Sequence, residues 1–217
     1  KLVIPEIFDV WDSIKFGMDP NNIIRYDGTC EVTHLEDFTY NENILEDLDI
    51  EVSKKYTILM RPEPSLASYL DTDCNKSVLT PIVDELKDIA DILVIPRFNA
   101  QSEIFKDIDG VHVVKTPVDT FSLMKRCDLV IGAGGTMNRE AALLGTPVIS
   151  CYPGAQLSVD SYYIKRGLMK RSTDLNEIIK LAKQLLENKD EQVTLKTDDL
   201  VDIIVNEIYK TYNENSS

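Results

Sequence analysis

The run Gly132-Ala133-Gly134-Gly135-Thr136-Met137-Asn138-Arg139-Glu140 has the residue types that hold an anion against backbone. Glycines let a ligand approach the main chain closely, and a helix starting just after them offers unpaired N–H groups and a positive dipole end. Thr136 and Glu140 are four apart, so on that helix they share a face. A carboxylate there can accept bonds from two vicinal ribose hydroxyls while Thr136 and the backbone hold phosphate; as a first-turn acid it also complements the helix dipole. Arg61 and Arg97 each follow an apolar run, in Met60-Arg61-Pro62-Glu63 and Ile95-Pro96-Arg97-Phe98, and Arg139 lies within the helix. Three cations on one rim suit a ligand with two or three negative charges.

Other chemistries are excluded by spacing. A dinucleotide fingerprint starting at Gly132 would need glycine where Met137 stands, and a P-loop would need Gly-Lys-Ser/Thr. Asp71-Thr72-Asp73 with Asn75 resembles the start of a calcium loop, but Lys76 and Ile82 occupy its glycine and glutamate positions. Helix capping accounts for that stretch better. Cys30, Cys74, Cys127 and Cys151 have no short pairwise spacing, and two histidines do not complete a zinc site with them. They read as reduced, mostly buried thiols of a cytoplasmic protein. No metal and no cofactor is expected, and no Ser, Cys and His suggest a nucleophilic triad. A net charge of -14 argues against nucleic acid as a partner, since that affinity comes from clustered Lys and Arg.

The elements that must position these residues follow from periodicity. From Tyr56 onward, short apolar runs alternate with helical patterns, as in a parallel sheet covered by helices on both faces. Strands are predicted at 56–60, 92–96, 111–115, 129–131 and 147–151, with a weaker one at 168–170. Helices are predicted at 76–90, 100–106, 120–126, 138–144 and 159–166. Two amphipathic helices follow, with stripes at Leu175, Ile178, Ile179, Ala182, Leu185 and Leu186, and at Leu200, Ile203, Ile204, Ile208 and Tyr212; residues 213–217 read as frayed. Before them come a strand at 2–7, a short helix at 11–16, a strand at 23–26 and a polar stretch at 31–51. With 217 residues and 43% apolar content, the chain is expected to be one domain plus part of another: residues 1–54 as the tail of a preceding lobe and its crossover, residues 55–217 as an α/β nucleotide-binding domain with C-terminal helices. The ligand is then expected beyond the carboxyl ends of the strands.

The segment from Asp128 through Gly132 and Glu140 to Ser150, together with Val3-Ile4-Pro5-Glu6, Tyr26-Asp27-Gly28, residues 35–38, Arg61-Pro62 and Pro96-Arg97, resembles an uncharacterised, largely archaeal family of the two-lobed GT-B glycosyltransferase type. Its wider relatives include the lipid-linked glucosaminyltransferase of peptidoglycan synthesis and the non-hydrolysing UDP-N-acetylglucosamine 2-epimerases. These share a glycine-containing turn and then a glutamate with Gly five and Pro seven residues later, here Glu140, Gly145 and Pro147. The resemblance implies an α/β fold: the C-terminal Rossmann-like lobe of a GT-B protein plus a remnant of its N-terminal lobe. It implies that Glu140 binds ribose, that Gly134, Gly135 and Thr136 meet the diphosphate, that backbone near Val118 reads uracil, and that Gln156 and Asp160 meet the sugar. The implied activity is metal-independent transfer from a UDP-sugar to an unknown acceptor, with a 2-epimerase or a non-catalytic nucleotide-sugar-binding subunit as alternatives. The missing lobe would meet any membrane surface or lipid-linked acceptor, and this chain alone is expected to lack turnover.

Overall fold

The computed structural model describes residues 1–64, 77–114, 117–188 and 200–215. Strand β1 (Leu2–Pro5), helix α1 (Val10–Lys15) and strand β2 (Ile23–Tyr26) open the chain, β1 and β2 pairing in parallel. A 3-10 helix at Cys30–Leu35, called the connector helix below, and the short α2 (Ile44–Asp47) lead into β3 (Tyr56–Arg61). Then come α3 (Thr80–Leu86), β4 (Ala90–Val94), α4 (Asn99–Phe105), β5 (Val111–Val113), α5 (Thr120–Arg126), β6 (Leu129–Gly132), α6 (Thr136–Leu143), β7 (Val148–Ser150), α7 (Ser158–Lys165), β8 (Lys170–Arg171), α8 (Leu175–Glu187) and α9 (Leu200–Asn215). Six strands form one parallel sheet in the order β5-β4-β3-β6-β7-β8. The chain winds outward from β3 in one direction, then returns to its other side, so β3 and β6 flank the point where strand order reverses.

Alternation along the strands divides the core. Ile58, Met60, Ile92, Val94, Leu129, Ile131 and Ile149 face one side, where α3, α8 and Phe105 of α4 cover them. Leu59, Leu93, Ile95, Val130 and Val148 face the other, under α5, α6, α7 and also α2. Helices therefore lie on both faces of the sheet, as the apolar runs require. Ile44 and Leu45 are buried in this second layer and Leu48, Ile50 and Val52 pack against it, so the polar stretch read as a crossover is anchored in the core. Asp91 fixes its end, accepting the backbone N–H groups of Ser53 and Lys54 at 2.7 and 2.6 Å.

Element boundaries differ from the periodic reading in a few places. The helix expected over 76–90 is observed as Thr80–Leu86, because Ala90 already begins β4 opposite Tyr56. The strand expected at 168–170 is displaced to Lys170 and Arg171, which pair with Ile149 and Ser150. The Asp71-Thr72-Asp73 stretch, Asn75 and Cys74 lie outside the described residues.

The Glu140, Gly145, Pro147 spacing has a local cause. Gly145 N–H donates to Ala142 C=O at 3.1 Å and Thr146 N–H to Ala141 C=O at 3.0 Å, closing α6 with a Schellman motif. Gly145 supplies the φ of 80° that this cap needs. Gly145→Ala is expected to lower folding stability by about 1–2 kcal/mol, the cost of an L-residue in the left-handed region, as read by urea denaturation.

Candidate nucleotide site

Beyond the carboxyl ends of β3 and β6 the structure holds a cavity of about 680 Å³. Of the residues singled out in the sequence, Arg61, Arg97, Val118, Gly134, Gly135, Thr136, Arg139, Glu140 and Asp160 all line it. Gln156 does not. Its side chain is on the exterior, donating to Ser161 Oγ at 2.7 Å. Tyr152 joins the wall unannounced, although it follows β7 and the strand-end rule points to it.

The glycine turn is shaped by Asn138, a 2% exposed side chain that folds back to donate to Gly132 C=O at 3.0 Å and Gly134 C=O at 2.7 Å. With Gly135 as N-cap, no described side chain caps α6, and its first turn contains no acid, the Glu140 expected there lying one turn further on. The N–H groups at that end are left for a ligand.

Two arginines stand over this turn, each braced by the loop that carries the other. Arg61 Nη1 donates to Ile95 C=O at 2.9 Å and Pro96 C=O at 2.8 Å, while Arg97 Nε donates to Pro62 C=O at 2.9 Å. Gln101, fully buried, ties the same loops together by accepting Arg97 N–H and donating to Glu63 C=O, both at 2.8 Å. Arg97 Nη2 lies where a Cβ on Gly134 would be only 2.6 Å away, so glycine leaves room for the guanidinium beside the turn. Burial, and then the charge of Arg97, pull the Arg61 pKa down to about 10. Both arginines remain cationic at neutral pH, and neither forms an ion pair with a described carboxylate. Two like charges held together on backbone carbonyls form a seat for a multiply charged anion.

Arg139 is placed differently from these two. Its Nε donates to Glu31 Oε1 at 2.6 Å, its Nη1 to Asp160 Oδ1 at 2.8 Å and its Nη2 to Thr136 Oγ1 at 3.4 Å. All three members of the ionic triad are buried: Arg139 is 9% exposed, Glu31 3% and Asp160 4%. Burial opposes ionisation of Glu31, yet hydrogen bonds from Thr29 and Arg139 outweigh it and hold its pKa below the ordinary value. Among the described residues, the rim therefore has two cations open to a ligand and a third already shared between two carboxylates. One residue further on, His34 Nδ1 lies 2.8 Å from Glu140 Oε1. Nothing in the local text marks Glu31 or His34, which lie 108 and 106 residues from their partners.

Among the described residues no group of three His, Cys, Asp or Glu side chains gathers as a metal site, and no helix is long and apolar enough to cross a membrane. Cys127 and Cys151 are buried and free, and Cys30 is exposed. Burial pushes the Cys151 thiol up to about 12.

A family model described as Protein of unknown function (DUF354) matches residues 1–213. Uncharacterized protein MJ0665 of Methanocaldococcus jannaschii is 40% identical over 167 residues, covering 73% of this chain and 47% of its own length. The UDP-GlcNAc 2-epimerase of the same organism, solved in complex with UDP-GlcNAc and UDP, superposes with a TM-score of 0.58 at 18% identity, over 81% of this chain and 51% of that one. S. aureus MnaA with UDP gives 0.58 at 14% identity over 81% and 48%, and the Neisseria meningitidis UDP-GlcNAc 2-epimerase bound to UDP-GlcNAc gives 0.53 at 15% over 81% and 49%. The chain spans about half the length of the relatives it matches. These likenesses establish the fold as a Rossmann-like lobe of the GT-B type.

Proposed function

The chain belongs to the family whose model it matches, and we propose that its cavity binds the nucleotide part of a UDP-sugar, as the donor lobe of a GT-B glycosyltransferase-like protein. The observation that carries this reading is the pair Arg61 and Arg97 over the uncapped start of α6, a built site for a diphosphate. Glu140, on the same helix, is assigned to the ribose hydroxyls, and backbone beside Val118 to the base. Asp160, engaged by Arg139, stands at the wall where the sugar would emerge. Residues 1–54 act as the connection to a first lobe that presents the acceptor.

Transfer from such a donor leaves UDP carrying the charge of the broken glycosidic bond. The α6 N-terminus and the two guanidiniums are placed to stabilise that charge, the task a divalent ion performs elsewhere. A 2-epimerase is the second reading, supported by the fold shared with the M. jannaschii and N. meningitidis epimerases. Product analysis with UDP-N-acetylglucosamine separates the two: a sugar transferred to an acceptor, or the manno epimer. Binding with neither product indicates a nucleotide-sugar-binding subunit.

Calorimetric titration with UDP tests the site itself. Chelator is expected to leave the affinity unchanged, and a tenfold loss, about 1.4 kcal/mol, would overturn the metal-independent reading. Arg97→Met is expected to weaken UDP and free diphosphate alike by roughly 10-fold to 100-fold, the worth of a charge-assisted hydrogen bond.

A further inference from the structure

We propose that His34 is a positioning residue for the ribose: from the connector helix it aims the Glu140 carboxylate into the cavity. The inference rests on the ribose reading of Glu140 and adds a residue from the part of the chain that precedes the sheet.

The geometry is specific. In a 3-10 helix, side chains three apart eclipse one another, so Glu31 and His34 project from the same side of the connector helix. They meet consecutive residues of α6, Glu31 reaching Arg139 and His34 reaching Glu140. The two contacts have opposite polarity: an acid on the connector faces a base on α6, and beside it the order is reversed. Sliding or rotating the connector helix against α6 would break both.

The Glu140 side chain is 12% exposed, and His34 takes only Oε1. Oε2 accepts nothing from a described residue and is left for a ligand. An ionised carboxylate has only acceptors, so His34 must carry its proton on Nδ1 to make the bond. Its own side chain is 45% exposed, which keeps Nε2 near water. A glutamate has three side-chain torsions to order when it engages a ribose. Ordering a side chain of this kind before the ligand arrives is worth about threefold to tenfold in affinity. As a mere surface ion pair, the same contact would add little to stability and nothing to selectivity.

Titration of UDP and of free diphosphate into the wild type, His34→Ala, His34→Asn, Glu140→Gln and the His34→Ala/Glu140→Gln double variant tests this. His34→Ala is expected to weaken UDP by about threefold to tenfold with diphosphate unchanged and the thermal midpoint nearly so. His34→Asn places an amide N–H where Nδ1 stood and is expected to restore most of the UDP affinity. In the Glu140→Gln background, His34→Ala should add no further change to the UDP-to-diphosphate ratio. If Glu140→Gln shifts that ratio and His34→Ala does not, or if His34→Ala weakens both ligands equally, the positioning role is overturned and the ribose reading stands. If Glu140→Gln leaves the ratio untouched, or UDP does not bind, the ribose reading falls and the role of His34 with it.

Discussion

Arg139→Ala is expected to cost about 3–5 kcal/mol of folding stability, because it leaves the Glu31 and Asp160 carboxylates buried without their common counter-charge. For a chain of this size that corresponds to a fall in thermal midpoint of roughly 6–20 °C. The pH dependence identifies the cause. In the wild type Glu31 is held below its ordinary pKa, so its contribution is present at neutral pH and is lost as pH falls through that depressed value. Without Arg139, burial is opposed only by the hydrogen bonds from Thr29 and the backbone, so the same carboxyl is harder to ionise, and the deficit of the variant should be largest at neutral pH and shrink towards the acid range. Urea denaturation of both proteins across that range reads the effect, and Glu31→Gln in the Arg139→Ala background should recover part of the loss. A loss below about 1 kcal/mol, the value of an exposed pair, would mean that the triad does not hold the connector to α6.

Glu140→Gln is expected to weaken UDP by roughly 10-fold to 100-fold while leaving free diphosphate within a few-fold, since a hydrogen bond to a charged group contributes about 1.5–3 kcal/mol. The substitution keeps an oxygen that can accept from His34, so the fold should not register it. The comparison variant must touch phosphate and not the core, which makes Arg97→Met the choice and disqualifies Arg139. Calorimetric affinities for both ligands give the ratio, and an unchanged ratio in two normally folded variants would remove Glu140 from the ribose.

Most of the sheet was legible because buried parallel strands are written as short apolar runs. The helix at 120–126 agrees to the residue, and the strands are displaced by two residues or fewer at their starts. The glycine turn and the arginines at the strand ends were legible for a related reason: an open α/β sheet puts residues that follow strands on one rim. The connector was not. The 31–51 stretch is polar and aperiodic, and what fixes it is a handful of contacts made by Ile44, Leu45, Glu31 and His34 with distant parts of the chain. Local periodicity holds no trace of such pairs. The same limit applies to Arg139, which could be placed on α6 from its neighbours, whereas the two acids that claim its guanidinium could not.

The crossed pairing of Glu31 with Arg139 and His34 with Glu140 also couples two equilibria. Any motion that peels the connector helix from α6 must release the carboxylate assigned to the nucleotide, so a closed connector and a bound nucleotide favour each other by one shared free energy. Linkage makes this reciprocal: the factor by which a docked connector tightens nucleotide binding is the factor by which bound nucleotide tightens docking. On the ribose reading of Glu140, amide hydrogen exchange in the segment at 30–35 should therefore slow when UDP is added.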